Sequence, residues 1–376
     1  MEIGPFDGEL EGRILVGVAA TVDPLEARLI PSESIRIGLV VPVSGVLGLM
    51  GPCAINCAVL AAEELNARGG VLGRPVELVL VDGGRPARQV AAEVAALVGS
   101  KTVQAVAGAH ASDVRVEIVS AIAGRVPFVY APPYEGGGHA PGVYFLGETP
   151  GRQLSPGIDW LAGTRRARRW FLLGNDYIWP RLVHASARRR LHARGATVVG
   201  ESFVRYGEAA SRLDQVAGAR PDAILLTLIG SDLVAFNRAY AAGGLGAARL
   251  CGALEEHGLL GIGGDGTGEL YAAMGYFRDL PTDAGLDFAE RYAARFGQDA
   301  PMLNAHGHGC YEAVAMLAAL AARAGSLAVP ALDAVADGTT ITSARGTLTL
   351  LDRQVRRPVH LGRANGLDFF LEKSFQ

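Results

Sequence analysis

Lysine is almost missing from this 376-residue chain: Lys101 and Lys373 are the only two, and arginine supplies the rest of its 35 basic side chains. Against 38 Asp and Glu the formal net charge is −3, so the basic surface that a nucleic-acid binder needs is not there. Cysteine is scarce as well. Cys53 and Cys57 lie four apart on a helical pattern while Cys251 and Cys310 stand alone, a spacing that suits neither a metal site nor a disulfide framework. All four read as small buried hydrophobes. No apolar run approaches the ~20 residues of a membrane span. The start is acidic (Glu2, Asp7, Glu9, Glu11), and the apolar stretch 14–22 is too short for a secretory leader. As written, the chain is expected to be cytoplasmic, or periplasmic if its start is misassigned. Signatures of catalysis are missing too. There is no Gly-x-Ser-x-Gly elbow, and His306 and His308, two apart on a helical pattern, face different directions. Gly261-Ile-Gly-Gly-Asp-Gly lacks a nucleotide-type βαβ context. No metal, cofactor or enzymatic activity is expected.

What the chain does have is core material: 49 % hydrophobic and 19 % charged residues, in a length that suits two domains. From residue 35 onward two periodicities alternate. Apolar runs at 35–41, 76–81, 105–108, 128–130, 169–173, 197–203 and 223–228 read as strands. The segments 54–68, 87–97, 114–124, 177–194, 211–217 and 231–243 read as helices. Such alternation means parallel sheets with helices on both faces. Twelve or so elements before residue 250 are too many for one compact sheet, and Gly and Pro cluster near 141–150. After 271 come helices at 283–296, 304–324 and 330–336, then strands at 347–351, 357–362 and 368–372. The expected organisation is an extension at 1–33, a first α/β lobe from 34–150 plus 275–343, and a second from 151–274 plus 344–376.

Open α/β sheets bind ligands beyond the carboxyl ends of their strands. In two facing lobes those ends share a cleft, which selects the loops 42–50, 109–113, 131–137, 174–180, 229–232, 253–258 and 275–280. Ser44 and Ser112 offer hydroxyls there, or helix N-caps. Tyr130, Tyr177 and Tyr276 offer flat apolar faces with a polar tip, or ordinary packing. Leu47, Leu49 and Met50 point to a larger apolar ligand or to a lobe–lobe contact. Asp176 is expected to cap a helix.

The segments Phe128-Val-Tyr-Ala-Pro-Pro-Tyr-Glu-Gly and Leu172-Leu-Gly-Asn-Asp-Tyr-Ile-Trp-Pro-Arg, with the βαβ opening at 34–82, resemble the type I periplasmic binding proteins. They are most similar to the amide- and urea-binding branch, which includes a cytoplasmic amide sensor. The resemblance covers about residues 36–372. It implies two Rossmann-like lobes joined by a multi-strand hinge, no catalysis, no cofactor, and a small-molecule ligand held in the cleft. The partner it implies is an ABC permease or a cytoplasmic regulatory protein, and a homodimer is compatible with it. By position, Ser112 matches a ligand-bonding serine, Tyr130 lines the pocket and Tyr177 closes over it. His110 stands where the amide sensor has a tyrosine, and Pro132 where it has a threonine, two departures that argue against acetamide itself. Amino-acid binders of the family hold the ligand carboxylate partly with backbone N–H groups of the 131–137 loop. Pro132 and Pro133 remove two such donors, and a carboxylate without donors in a closed cleft is costly. A neutral ligand is therefore expected. Glu255 would accept from an amide or urea N–H, pair with a ligand ammonium as in the amino-acid binders, or sit on a solvated turn. The alternative function is an amino-acid binding protein. An amidohydrolase is the alternative of another class, and it lacks a nucleophile or metal.

Overall fold

The computed structural model describes residues 21–137 and 140–376. Its strands form two sheets. Ile35–Val41, buried at every position, lies between parallel neighbours Val76–Asp82 and Ala105–Gly108, and Phe128–Tyr130 and Val143–Phe145 extend that sheet. Two covered faces explain why these segments read as continuous apolar runs rather than alternating ones. Helices Gly51–Ala67 and Ala305–Ala324 cover one face; Ala87–Gly99 and Ser112–Ile122 cover the other. In the second lobe Ala223–Thr227 is central, with Arg169–Asn175, Thr197–Val204, Ala248–Cys251 and Leu270–Met274 in parallel around it. Val359–Asn365 and Asp368–Phe375 close the far edge as an antiparallel pair. The α/β reading, with two lobes of mostly parallel sheet, holds.

Two boundaries move. Thr21–Val22 pairs with Val76–Asp82 as the outermost strand of the first lobe, and Pro24–Leu29 follows as a helix capped by Asp23. Residues 21–33 are therefore part of that lobe rather than a separate extension; the rest of the apolar stretch 14–22 lies outside the described residues. At the other end, the expected switch at 344 is wrong. Thr340–Ser343, Gly346–Leu351 and Gln354–Val355 form an antiparallel ribbon that joins the first sheet beside Val143–Phe145. The chain returns to the second lobe only at 356–358.

The lobes are thus joined three times, near 146–149, 275–282 and 356–358. A buried charge network ties these crossings together. Arg357 on the third donates to Glu148 on the first at 2.5 Å and to Glu312 at 3.2 Å, while Arg345 also pairs with Glu312. All four side chains are at most 4 % exposed. Burial alone would raise the Glu148 and Glu312 carboxyls, but the two guanidiniums outweigh it and hold both low. On the second crossing, Gly275 fits against this network because it has no Cβ: one there would come within 2.8 Å of Arg357 Nε. Among the described residues, no single helix is long and apolar enough to cross a membrane.

Candidate functional site

The carboxyl ends of the two sheets face each other across a partly open cavity, with about 50 Å3 open to the centres of water-sized spheres. A water needs ~10–15 Å3 on that scale, so the space is that of roughly three to five small-molecule atoms. From the first lobe come His110, Ser112, Tyr130 and Pro132; from the second, Tyr177 and Glu255. Six of the eight residues singled out from the sequence therefore meet at one place.

His110 follows the strand Ala105–Gly108 and is buried. Its Nδ1 sits 3.1 Å from the Ala111 carbonyl, which assigns the proton to Nδ1 and leaves Nε2 an acceptor; Nε2 is buried without a partner. Burial pushes the imidazole down to about 4, against the pull of the Ala111 carbonyl, so it is neutral at pH 7. Ser112 is the first residue of its helix, whose cap position is Ala111; its hydroxyl lies against Tyr130. Tyr130 donates its own hydroxyl to the His110 carbonyl at 2.6 Å, so it contributes a ring wall. Arg115 stacks over that ring from behind, paired with Glu135 at 2.6 Å.

In the second lobe Tyr177 precedes helix Ile178–Ala193, and burial raises its hydroxyl well above the ordinary value. Asp176 does not cap that helix; it pairs with Arg181 on the surface. Trp179, two residues on, also lines the cavity, and its Nε1 is buried without a partner. Glu255 is 2 % exposed. Its Oε1 accepts the His306 backbone N–H at 2.7 Å and lies 2.5 Å from His306 Nδ1, while His257 Nδ1 stands 3.4 Å from Oε2. Burial would raise this carboxyl; the contacts with His306 and then His257 outweigh it and hold it below the ordinary range. His306 reaches across from the first lobe because Asn304 caps helix Ala305–Ala324 by accepting from Gly307 N–H, which puts His306 in the first turn. Trp179, His257 and His306 were not among the residues chosen from the sequence.

Two choices fall outside the site. Ser44 donates to Asp82 Oδ2 at 2.6 Å, and the cavity wall does not include it. Although burial would raise Asp82, this bond and the backbone N–H groups of Gly84 and Val43 hold it low, so Ser44 fixes the loop. Tyr276 is fully buried, stacked 4.6 Å from His308 in the core at the second crossing. The chain turns inward there before reaching the cleft. The apolar first loop serves the lobe contact: Val46 and Leu47 pack against the second lobe's core, and the Val46 carbonyl accepts Ser231 N–H at 2.9 Å. Leu47, Leu49 and Met50 also edge the cavity. Neither lysine nor arginine lines it, and among the described residues no group of three or more His, Cys, Asp or Glu is placed to hold a metal.

Two hinged α/β lobes with a lined cavity between their strand ends define a two-lobed solute-binding protein. The chain belongs to the periplasmic binding protein family, whose model matches residues 34–368. Solved structures with the same fold include a leucine-binding protein from Thermotoga maritima (19 % identity, TM-score 0.78, covering 91 % of this chain and 99 % of that one). A branched-chain amino acid transporter substrate-binding protein from Streptococcus pneumoniae, in complex with isoleucine, gives 18 % identity and TM-score 0.79 over 91 % and 99 %. A solute-binding protein of an ABC transporter from Rhodopseudomonas palustris, in complex with p-hydroxybenzoic acid, gives 17 % and 0.81 over 92 % and 97 %.

Proposed function

We propose that this chain is the substrate-binding component of an ABC importer and that its cleft closes on a small neutral solute with an amide-like head, a short amide or a urea. One observation carries the ligand class. The unpartnered buried atoms of the wall include an acceptor, His110 Nε2, and an indole donor, Trp179 Nε1, beside His257 Nδ1 and His306 Nδ1, which lie against Glu255. Unpaired buried groups cost about 1–3 kcal/mol each. A primary amide repays the first two, its N–H donating to His110 and its C=O accepting from Trp179. A free carboxylate has no Lys or Arg to meet it here, and Pro132 offers no N–H. The small volume also favours a head of few atoms over an aromatic acid. Family membership and the ABC-transporter relatives support the importer role; the two sequence motifs shared with the amide- and urea-binding branch support the ligand.

The second reading, an amino acid with its ammonium on Glu255, draws on that carboxylate's place in the wall and on the leucine- and isoleucine-binding relatives. It is weakened because His306 already occupies Glu255 Oε1. Thermal melts against short amides, ureas, branched-chain amino acids and hydroxybenzoates separate the readings. A ligand at 100 times its Kd stabilises by about 2.7 kcal/mol. A shift with amides or ureas that is lost in Ser112→Ala and Tyr177→Ala supports the proposal; shifts confined to amino acids or aromatic acids overturn the neutral-amide assignment.

A further inference from the structure

Glu255 faces the cleft; its neighbour Glu256 faces a different cavity. That second space, about 210 Å3 on the same scale, lies between the second crossing and the last strand, Asp368–Phe375. Its walls are largely aromatic and aliphatic. Phe277 and Phe369 stand with ring centres 4.9 Å apart, Leu280 and Leu371 fill in between, and Phe370, 57 % exposed, lies at the rim. Glu256 is part of the wall and only 3 % exposed. Its Oε1 accepts Arg278 N–H at 2.6 Å, and its Oε2 is buried with no partner at all. A buried carboxyl oxygen left unsatisfied inside an otherwise closed fold calls for an explanation.

We propose that this cavity binds a small primary ammonium carrying an aryl or alkyl body, with the N–H groups on Glu256 Oε2 and the body between Phe277, Phe369 and Phe370. Three features select that chemistry. The orphan oxygen becomes an acceptor once its carboxyl gives up its proton, so the ligand brings a donor and a positive charge. The acidic groups in the wall, Glu256 and Asp279, are both carboxyls, and the nearest base, Arg278, is engaged by Asp279 at 2.9 Å and Asp368 at 2.8 Å, so an anion finds no free cation. Aromatic faces attract cations and stack on aryl bodies, which a neutral alcohol exploits only in part. Burial raises the Glu256 carboxyl to about 8; an arriving ammonium supplies the charge that burial denies it, and the displaced proton leaves to solvent. The site stands independently of what the cleft binds, and because Glu255 and Glu256 are consecutive, its occupant adjoins the cleft wall.

The test uses the full chain and phenethylamine hydrochloride as the probe, followed by thermal melts and titration calorimetry, with 2-phenylethanol and 3-phenylpropionate as neutral and anionic controls. Saturable binding of phenethylamine is expected in the wild type and in Ser112→Ala, which removes a cleft hydroxyl. Glu256→Gln and Phe370→Ala should each weaken it by about tenfold or more, 1.4 kcal/mol. The alcohol should bind more weakly and the acid not at all. Phe370 is exposed, so its variant keeps the test available if Glu256→Gln folds poorly. No saturable binding to the wild type overturns the proposal. So does binding that survives both Glu256→Gln and Phe370→Ala, or that disappears in Ser112→Ala, which would place the amine in the cleft.

Discussion

Gly230 is where closure of the two lobes can be tested by a single methyl group. It precedes Ser231 at the start of helix Gly230–Ala242 in the second lobe, with φ +49, and Ser231 N–H donates to the Val46 carbonyl of the first lobe at 2.9 Å. A Cβ on Gly230 would overlap the Val46 carbonyl oxygen, lie 2.7 Å from its carbon and approach Leu47 Cα to 3.2 Å. Both sides of that collision are backbone, and they belong to different lobes. Separating the lobes relieves it without unfolding either. Gly230→Ala therefore carries two penalties of different kind. The left-handed backbone costs roughly 1–2 kcal/mol whether the cleft is open or closed, a Tm loss of a few degrees at most. The closed form alone loses the Val46–Ser231 hydrogen bond, about 1 kcal/mol, and accommodates an overpacked contact at about 1–3 kcal/mol. The sum, about 2–4 kcal/mol on closure, appears as a 30- to 700-fold rise in Kd. Calorimetry with the ligand that gives the largest thermal shift reads the affinity, and small-angle scattering reads compaction on ligand addition. A variant with Kd within threefold of wild type and normal compaction would refute the claim that this contact belongs to the closed form.

Other substitutions probe the site, the hinge and the buried charges. Trp179→Phe keeps the wall and removes the Nε1 donor; an amide ligand should bind about fivefold more weakly, about 1 kcal/mol, and an unchanged calorimetric Kd would remove Trp179 from the ligand's hydrogen bonds. Ser44→Ala should leave affinity unchanged and cost about 1 kcal/mol in urea unfolding, since its hydroxyl serves Asp82; a large affinity loss would return Ser44 to the site. Arg357→Met leaves Glu148 without its guanidinium partner inside the hinge, Glu312 keeping Arg345, and should cost about 3–5 kcal/mol; a loss below about 1 kcal/mol in the same assay would show that the network is not a structural tie. Acid should destabilise the protein from near pH 6.5. Burial drives His110, His184 and His360 each down to about 4. Below the unfolded value of ~6.5 the unfolded chain therefore binds protons that the folded chain refuses, and stability falls with pH. Glu256, raised to about 8 by burial, works in the opposite sense over ~4.5–8. Among these four groups, three protons against one leave a slope of roughly 2–3 kcal/mol per pH unit between pH ~6 and ~5, and His257 and His308, also lowered by burial, steepen it. A flat stability profile across that window would contradict the buried, neutral assignment of these imidazoles.

What could be read from the sequence, and what could not, divides along the distance over which each feature is determined. A strand buried on both faces announces itself locally, so 35–41, 105–108 and 128–130 were placed to the residue. Knowing that ligands gather at the carboxyl ends of parallel strands selected the right loops and brought Ser112, Tyr130 and Tyr177 into consideration, because strand ends are local as well; His110, Pro132 and Glu255 came from the family resemblance. Ser44 fails because its partner, Asp82, arrives from the neighbouring strand, and a free hydroxyl looks the same in sequence as an occupied one. His306 was passed over for the converse reason: weighed only against His308 on its own helix it faces a different direction, and only the meeting of the lobes sets it against Glu255. The Asn304 cap fixes the first turn of that helix and was the available signal. Trp179 stood inside a recognised motif yet was read as part of the pattern rather than as a donor. The misplaced boundary at 344 has a cause in turn chemistry. Gly346–Leu351 and Gln354–Val355 are joined by Asp352-Arg353, both with positive φ (51° and 57°). Tight hairpins usually place Gly or Asn there, so Asp-Arg gave no warning that the ribbon folds back onto the first lobe.

The division of polar groups between the lobes bears on how binding and closure are coupled. A ligand shifts an open–closed equilibrium only through a difference in its affinity for the two forms; one that touches a single lobe binds both equally and moves nothing. The orphan acceptor, His110 Nε2, belongs to the first lobe and the orphan donor, Trp179 Nε1, to the second. A head group carrying both an N–H and a C=O can satisfy them together only when the lobes have met, so its second hydrogen bond, about 0.5–1.5 kcal/mol net, is available to the closed form alone. The Glu255–His306 contact already spans the lobes without a ligand, as does Val46–Ser231. Closure is therefore partly prepaid by the protein, and a small solute needs to add only the last increment. That is the arrangement expected of a cleft whose ligand is too small to hold two domains together by buried area, as in the function proposed above.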